Sequence, residues 1–157
     1  MTTFFILSLS WFLLGSGFAA NLPADETGDI KAIISVWRDT WQNKDMGRYR
    51  SFYSPNFSAG AHNYQTWMQH KTMLFKRPGK IFIQLSNLKV EPGGNSATVT
   101  FVQFYQSPAH SDMGEKKLIL EKSEGAWKIN FEQWKPLSKD ARVIQDQAEI
   151  LWIIHTF

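Results

Sequence analysis

One stretch, residues 96–134, restricts the folds open to this chain more than any other. It holds three runs that read as strands: Ser96-Ala-Thr-Val-Thr-Phe-Val-Gln-Phe-Tyr-Gln-Ser107, Lys116-Lys-Leu-Ile-Leu-Glu121 and Ala126-Trp-Lys-Ile-Asn-Phe-Glu-Gln-Trp134. Successive side chains of a strand point to opposite faces. The first run therefore presents Val99, Phe101, Gln103 and Tyr105 on one side. An apolar face that ends in an amide and a phenol predicts the wall of a pocket as well as a core.

The remaining punctuation extends this sheet backwards. Pro92-Gly-Gly-Asn95 is a turn signal. Before it, residues 80–91 alternate as a strand, with a slip near Asn87 that lets Leu88 and Val90 rejoin the buried set through a bulge. Residues 108–114 read as a loop, and Ser123-Glu-Gly125 as a tight turn.

Upstream the periodicity is helical. Ile30, Ile33, Ile34, Trp37 and Trp41 recur at the spacing of one helix face, with Asp29 as the expected N-cap and an end near Lys44. Asp45 opens a second short helix, residues 46–53, which Ser54-Pro55 stops. A third spans residues 64–75, with Tyr64, Trp67, Met68, Lys71 and Leu74 or Phe75 on one face and Arg77-Pro78-Gly79 as its breaker. The expected architecture is α+β: three N-terminal helices packed on a strongly curved antiparallel sheet that forms a cone.

The chain ends add their own expectations. Residues 4–14 are almost wholly apolar and lead into Gly15-Ser-Gly-Phe-Ala-Ala20, which reads as a secretory signal over residues 1–19. No Lys or Arg precedes the run, and it is short for a bilayer span of about 20 residues. Export, with a periplasmic location, is the expectation, with no membrane span once the signal is removed. Residues 20–28 then form a flexible lead-in, residues 29–136 the domain, and residues 137–157 a tail that could be helical over 141–152. The apolar run at residues 151–157 suits packing on the domain or on a second copy, so a homodimer stays open.

Composition removes several function classes. There is no cysteine, so disulfides, thiolate nucleophiles and thiolate metal sites are excluded. A net charge of +3 and the lack of a recognition motif argue against nucleic acid. Lysine and arginine are spread out except between Lys71 and Arg77. That cluster could meet an anionic polymer or could be a solvated helix end. The four histidines, His62, His70, His110 and His155, are scattered and show no ligand spacing. No metal and no cofactor is expected.

The pattern Trp37…Trp41, Lys44-Asp45, Tyr49, Phe52-Tyr53-Ser54-Pro55-x-Phe57 resembles the opening of nuclear transport factor 2-like (cystatin-like cone) domains. The later block resembles the rest: Val99-x-Phe101-x-Gln103-x-Tyr105-x-Ser107, then Lys116-x-Leu118-x-Leu120, then Gly125-x-Trp127-x-Ile129-x-x-Glu132-x-Trp134. Within that superfamily the chain is similar to the cone domain attached to bacterial L,D-transpeptidase-like cell-wall enzymes. With no cysteine, that catalytic activity does not carry over. The resemblance implies an open-mouthed pocket lined by Tyr53, Trp67, Gln103, Tyr105, Lys116 and Glu132.

One carboxylate, one amide and one phenol favour holding a small polar ligand, such as a peptidoglycan fragment, over transforming it. The alternatives are a pocket enzyme of the isomerase, cyclase or dehydratase type using Glu132 with Tyr105 or Tyr53, and a structural dimerisation domain. Isomerase sites of this fold pair a base with donors to the substrate oxygen, and no acidic partner for Glu132 stands at a matched position. Two bland outcomes compete at single residues. Lys116 and Glu132 could pair across neighbouring strands, and Gln103 and Tyr105 could satisfy each other.

Overall fold

The computed structural model describes residues 25–138. The expected signal segment, most of the expected lead-in and the tail from residue 139 onward lie outside the described residues. Three helices and six strands follow in the order α1 (Glu26–Gln42), α2 (Met46–Ser51), β1 (Tyr53–Ala59), β2 (His62–Asn63), α3 (Tyr64–Phe75), β3 (Phe82–Gly93), β4 (Ser96–Ser107), β5 (His110–Ser123) and β6 (Ala126–Pro136). The strands form one curved sheet in the order β2-β1-β6-β5-β4-β3.

Two features of the expected architecture are corrected. The helices do not form an uninterrupted N-terminal block, because β1 and β2 lie between α2 and α3. Nor is the sheet wholly antiparallel, because β1 runs parallel to β6. Both corrections have one cause. Tyr53-Ser-Pro-Asn-Phe57 reads as a helix stop and a turn, yet it continues as a strand. Proline cannot donate to a ladder and so suits a sparsely bonded strand. β1 accordingly matches β6 in register only at Tyr53↔Ile129 and Ser58↔Phe131.

Local chemistry accounts for the helix ends. The Asp25 carboxylate accepts from the Gly28 amide at 3.1 Å, so α1 starts at Glu26 and not after Asp29. The lead-in is shorter than expected by that much. Asp45 caps α2 by accepting from Arg48 N at 3.0 Å. Asn63 and Thr66 form a reciprocal capping box that starts α3 at Tyr64. The predicted loop at residues 108–114 is mostly strand, since β5 begins at His110 after a two-residue turn.

Two bulges decide which side chains face inward. On β3 the register skips between Ser86 and Lys89, and Asn87 takes φ 54°; Leu88 and Val90 then pack against the core. On β6, Ile129 pairs with Leu120 and Phe131 with Ile119, leaving Asn130 as the extra residue. Strict alternation after Ile129 would send Phe131 inward and Glu132 outward. The added residue reverses that parity, and Glu132 is buried while Phe131 is not.

The core lies between α1 and the concave face of the sheet. Ile30, Ile34 and Trp37 from the helix meet Val99, Phe101, Leu118, Leu120 and Ile129 from the strands, all buried. Burying a large apolar side chain stabilises by roughly 1.5–3 kcal/mol. This end of the domain therefore supplies stability, and the other end is free to hold polar groups. No helix among the described residues is long and apolar enough to cross a membrane.

Candidate functional site

A cavity of about 430 Å³ opens between α3, the end of α1 and the sheet. This volume falls in the range of small-molecule sites. Trp67, Gln103, Tyr105, Lys116 and Glu132 all line it, and all were expected to. Tyr53 does not. Its side chain is buried behind Glu132, inside the aromatic packing of Tyr49 and Phe57. Strand β1 carries it there, one layer deeper than a turn residue would sit.

Two close approaches shape the rim. A Cβ on Gly114 would stand 2.5 Å from the Lys135 carbonyl and 2.7 Å from the Trp134 ring. Only glycine lets that indole lie across β5. At Gly79, φ is +88°, and a Cβ would stand 2.3 Å from Pro108. Lys44 Nζ ties the same loop down by donating to the carbonyls of Arg77 and Gly79, the latter at 2.6 Å.

Glu132 anchors a closed polar network. Lys116 Nζ pairs with its Oε1. The Tyr53 hydroxyl donates to its Oε2 at 3.2 Å. Tyr53 in turn accepts from Trp37 Nε1 at 3.0 Å. An ionised carboxylate only accepts, so the Tyr53 proton is committed to Glu132. Tyr49 must then donate across the 2.5 Å contact between the two phenols. Burial alone would raise the Glu132 carboxyl, but the charges of Lys116 and Lys71 and these hydrogen bonds outweigh it and hold the group below the usual range. Burial, with the Glu132 charge added, pushes both phenols well above theirs. They are neutral donors. The cross-strand pairing of Lys116 with Glu132 is thus realised.

The rest of the wall is not closed. Gln103 is 3% exposed, yet its Oε1 has no hydrogen-bond partner. It is not satisfied by Tyr105. Asp112 Oδ1 is buried and unpartnered in the same way, whereas Trp67 Nε1, which makes no well-formed hydrogen bond, is directed towards the Tyr49 hydroxyl. All three residues line the cavity. Each such atom costs roughly 1–3 kcal/mol while it stays unmatched.

The basic segment at residues 71–77 is split by the fold. Arg77 is exposed at the rim, whereas Lys71 is 4% exposed. Its Nζ stands 3.8 Å from the centre of the Trp41 ring, 4.6 Å from Trp67 and 5.9 Å from Tyr49. Trp41 also faces Lys116 Nζ at 5.2 Å. Desolvation lowers the Lys71 pKa to about 7, with Lys116 adding to the effect and Glu132 and Asp112 opposing it. Lys71 was placed on the apolar face of α3 from the sequence, but not among the cavity residues, where the structure puts it. The helical face containing Trp67, Met68 and Phe75 was the available signal. Asp112 was missed; its Oδ2 pairs with His110 Nε2 at 2.8 Å. No group of three metal-binding side chains occurs among the described residues.

Comparison with known proteins places this geometry. A family model described as the Cds6 C-terminal NTF2-like domain matches residues 29–133. Bd1075 of Bdellovibrio bacteriovorus has a similar solved structure, with TM-score 0.69 and 33% identity over 71% of this chain and 41% of that one. The present chain therefore spans about two-fifths of Bd1075. The helical cell shape determining protein Pgp2 of Campylobacter jejuni aligns with TM-score 0.65 and 23% identity, covering 69% of this chain and 40% of Pgp2. A candidate dehydratase of the NTF2-like family from Streptomyces avermitilis aligns with TM-score 0.66 and 12% identity over 74% of this chain and 99% of its own. The last two share the fold alone. No functionally curated protein matches the chain.

Proposed function

The chain belongs to the family of Cds6 C-terminal NTF2-like domains, and on that premise we propose that it is a non-catalytic binding module whose cavity holds a small polar ligand. The observation that carries the reading is Gln103 Oε1, buried on the cavity wall without a partner. A buried acceptor that no protein group satisfies is a place where a ligand N–H or O–H gains a bond at little further desolvation cost. Asp112 Oδ1 offers a second acceptor, Trp67 an indole face, and Lys71, in its protonated form, a positive charge between indoles. Together they suit a molecule with an anionic group, amide or hydroxyl groups and an apolar body.

A peptidoglycan fragment has that chemistry. The sequence resemblance to cone domains of L,D-transpeptidase-like enzymes supports a cell-wall role. We also propose export, supported by the apolar segment at residues 4–14. A pocket enzyme built on Glu132 is disfavoured, because Lys116 and Tyr53 occupy one carboxylate oxygen each. The same contacts hold its pKa below the ordinary value and so weaken it as a base.

The test is titration of purified muropeptides followed by NMR. Shifts of the Gln103 side-chain amide and the Trp67 indole signal are expected, and Gln103→Leu should weaken binding by about tenfold. Unshifted spectra at millimolar ligand would end the proposal.

A further inference from the structure

We propose that Lys71 is a carbonyl-reactive amine, whose Nζ condenses inside the cavity with a small aldehyde bearing an anionic group to form an imine. This goes beyond reversible binding and rests on the cavity admitting a small molecule, as proposed above.

The geometry sets Lys71 apart from the other amines whose contacts are defined. Lys44 and Lys128 donate to backbone carbonyls, and Lys116 and Lys122 are paired with Glu132 and Glu26. Lys71 has no ion pair among the described residues. The nearby Glu132 is already engaged by Lys116 and Tyr53. The Lys71 amine lies against the faces of Trp41 and Trp67, in a wall of the cavity. A desolvated amine in an aromatic pocket is the arrangement that activates lysine toward carbonyl carbon. The indoles of Trp41, Trp67 and Trp134 favour a flat substituent, and Arg77 at the rim favours an anion.

The groups facing Lys71 from each packed element are Glu132 on β6, Lys116 and Asp112 on β5, Tyr49 on α2 and His70 on α3, with Arg77 and Lys44 at the rim. Burial and Lys116 drive the proton off, Glu132 and Asp112 hold it on, and burial prevails, so a large neutral fraction exists near pH 7. The neutral nitrogen adds its lone pair to the carbonyl carbon. One N–H proton passes to the carbonyl oxygen, giving a carbinolamine. The C–O bond then breaks, the remaining N–H proton leaves with the oxygen as water, and a C=N bond remains. Nothing is oxidised or reduced.

The test treats the folded protein with 4-carboxybenzaldehyde and cyanoborohydride, which traps imines, and maps adducts by peptide mass spectrometry. At pH 7, Lys71 is expected to label at least ~10-fold faster than the average lysine, with the rate half-maximal near neutrality. Lys71→Arg should remove the fast phase and leave labelling elsewhere unchanged. Labelling spread evenly over the lysines overturns the proposal, and needs no variant to be seen. Benzoate, which has no carbonyl to trap, is titrated in parallel by NMR. If benzoate shifts the Gln103 and Trp67 signals but Lys71 does not label, the imine falls and the binding reading stands. If neither occurs, the imine falls, and the muropeptide titration alone decides the binding reading.

Discussion

The two halves of the cavity wall use similar residue types to opposite ends. Around Glu132, each carboxylate oxygen has a donor: Lys116 and Tyr53 supply one each, and Tyr49 and Trp37 donate to Tyr53. Around Gln103, two buried acceptors of cavity-lining residues, Gln103 Oε1 and Asp112 Oδ1, have no donor, and a lysine rests on indoles with no ion pair among the described residues. The first half is a scaffold that loses stability when touched. The second holds free energy in reserve for a ligand, and removing its polar groups should relieve the fold. Polar networks of these two kinds have opposite signatures under mutation.

The largest effect should come from the closed half. Glu132→Ala leaves the Lys116 charge buried and unpaired, so a loss of about 3–5 kcal/mol is expected in urea unfolding. The pH dependence has a definite sign. The folded carboxyl titrates below its unfolded value of about 4.3, so its contribution is complete above that pH and is lost as pH falls through the folded value. A variant as stable as the parent would show that the network carries no load.

Lys71→Met should move the other way, gaining roughly 2 kcal/mol at or below pH 7. The folded pKa is about 7 against 10.5 for an ordinary lysine. Between these values the unfolded chain holds a proton that the folded chain does not. Parent stability should therefore rise with pH across that window, by up to about 1.4 kcal/mol per unit, and the variant should lack the slope. A parent whose stability is flat from pH 7 to 10 contradicts this assignment.

Tyr53→Phe should cost about 1–3 kcal/mol in thermal or urea unfolding, since one hydroxyl serves Glu132, Tyr49 and Trp37. The smallest expected effect is Gln103→Leu. It replaces an amide with an unmatched oxygen by an apolar side chain of similar size, so stability should hold or rise, by less than about 1 kcal/mol. A loss as large as that of Tyr53→Phe would erase the contrast between the two halves.

The sheet was largely legible because its signals are local. The Gly94-Asn95 and Glu124-Gly125 turns and the inward set Val99, Phe101 and Gln103 all follow from period-two alternation and turn chemistry. The bounds of α3 follow similarly from its apolar face and the breaker after it. Strand β1 was not legible, because Ser54-Pro55 gives the same local signal in a loop and in a sparsely bonded strand. The face that carries Lys71 was legible, but its burial in the cavity wall was not. Lysine is rarely buried, and its placement depends on which helix face the sheet covers.

By itself the sequence determined the α+β class, the strand boundaries near the tight turns, and the inward side of β4 that carries Val99, Phe101 and Gln103. Backbone propensity and hydrophobic period act over a few residues, and a single chain displays them directly. Tertiary structure alone decided three things: the bulge at Asn130 that turns Glu132 inward, the sequestering of Tyr53 behind it, and the burial of Lys71 among indoles. Each depends on strands and helices far apart in the chain meeting in one register, and desolvation and charge pairing at the site exist only after they meet.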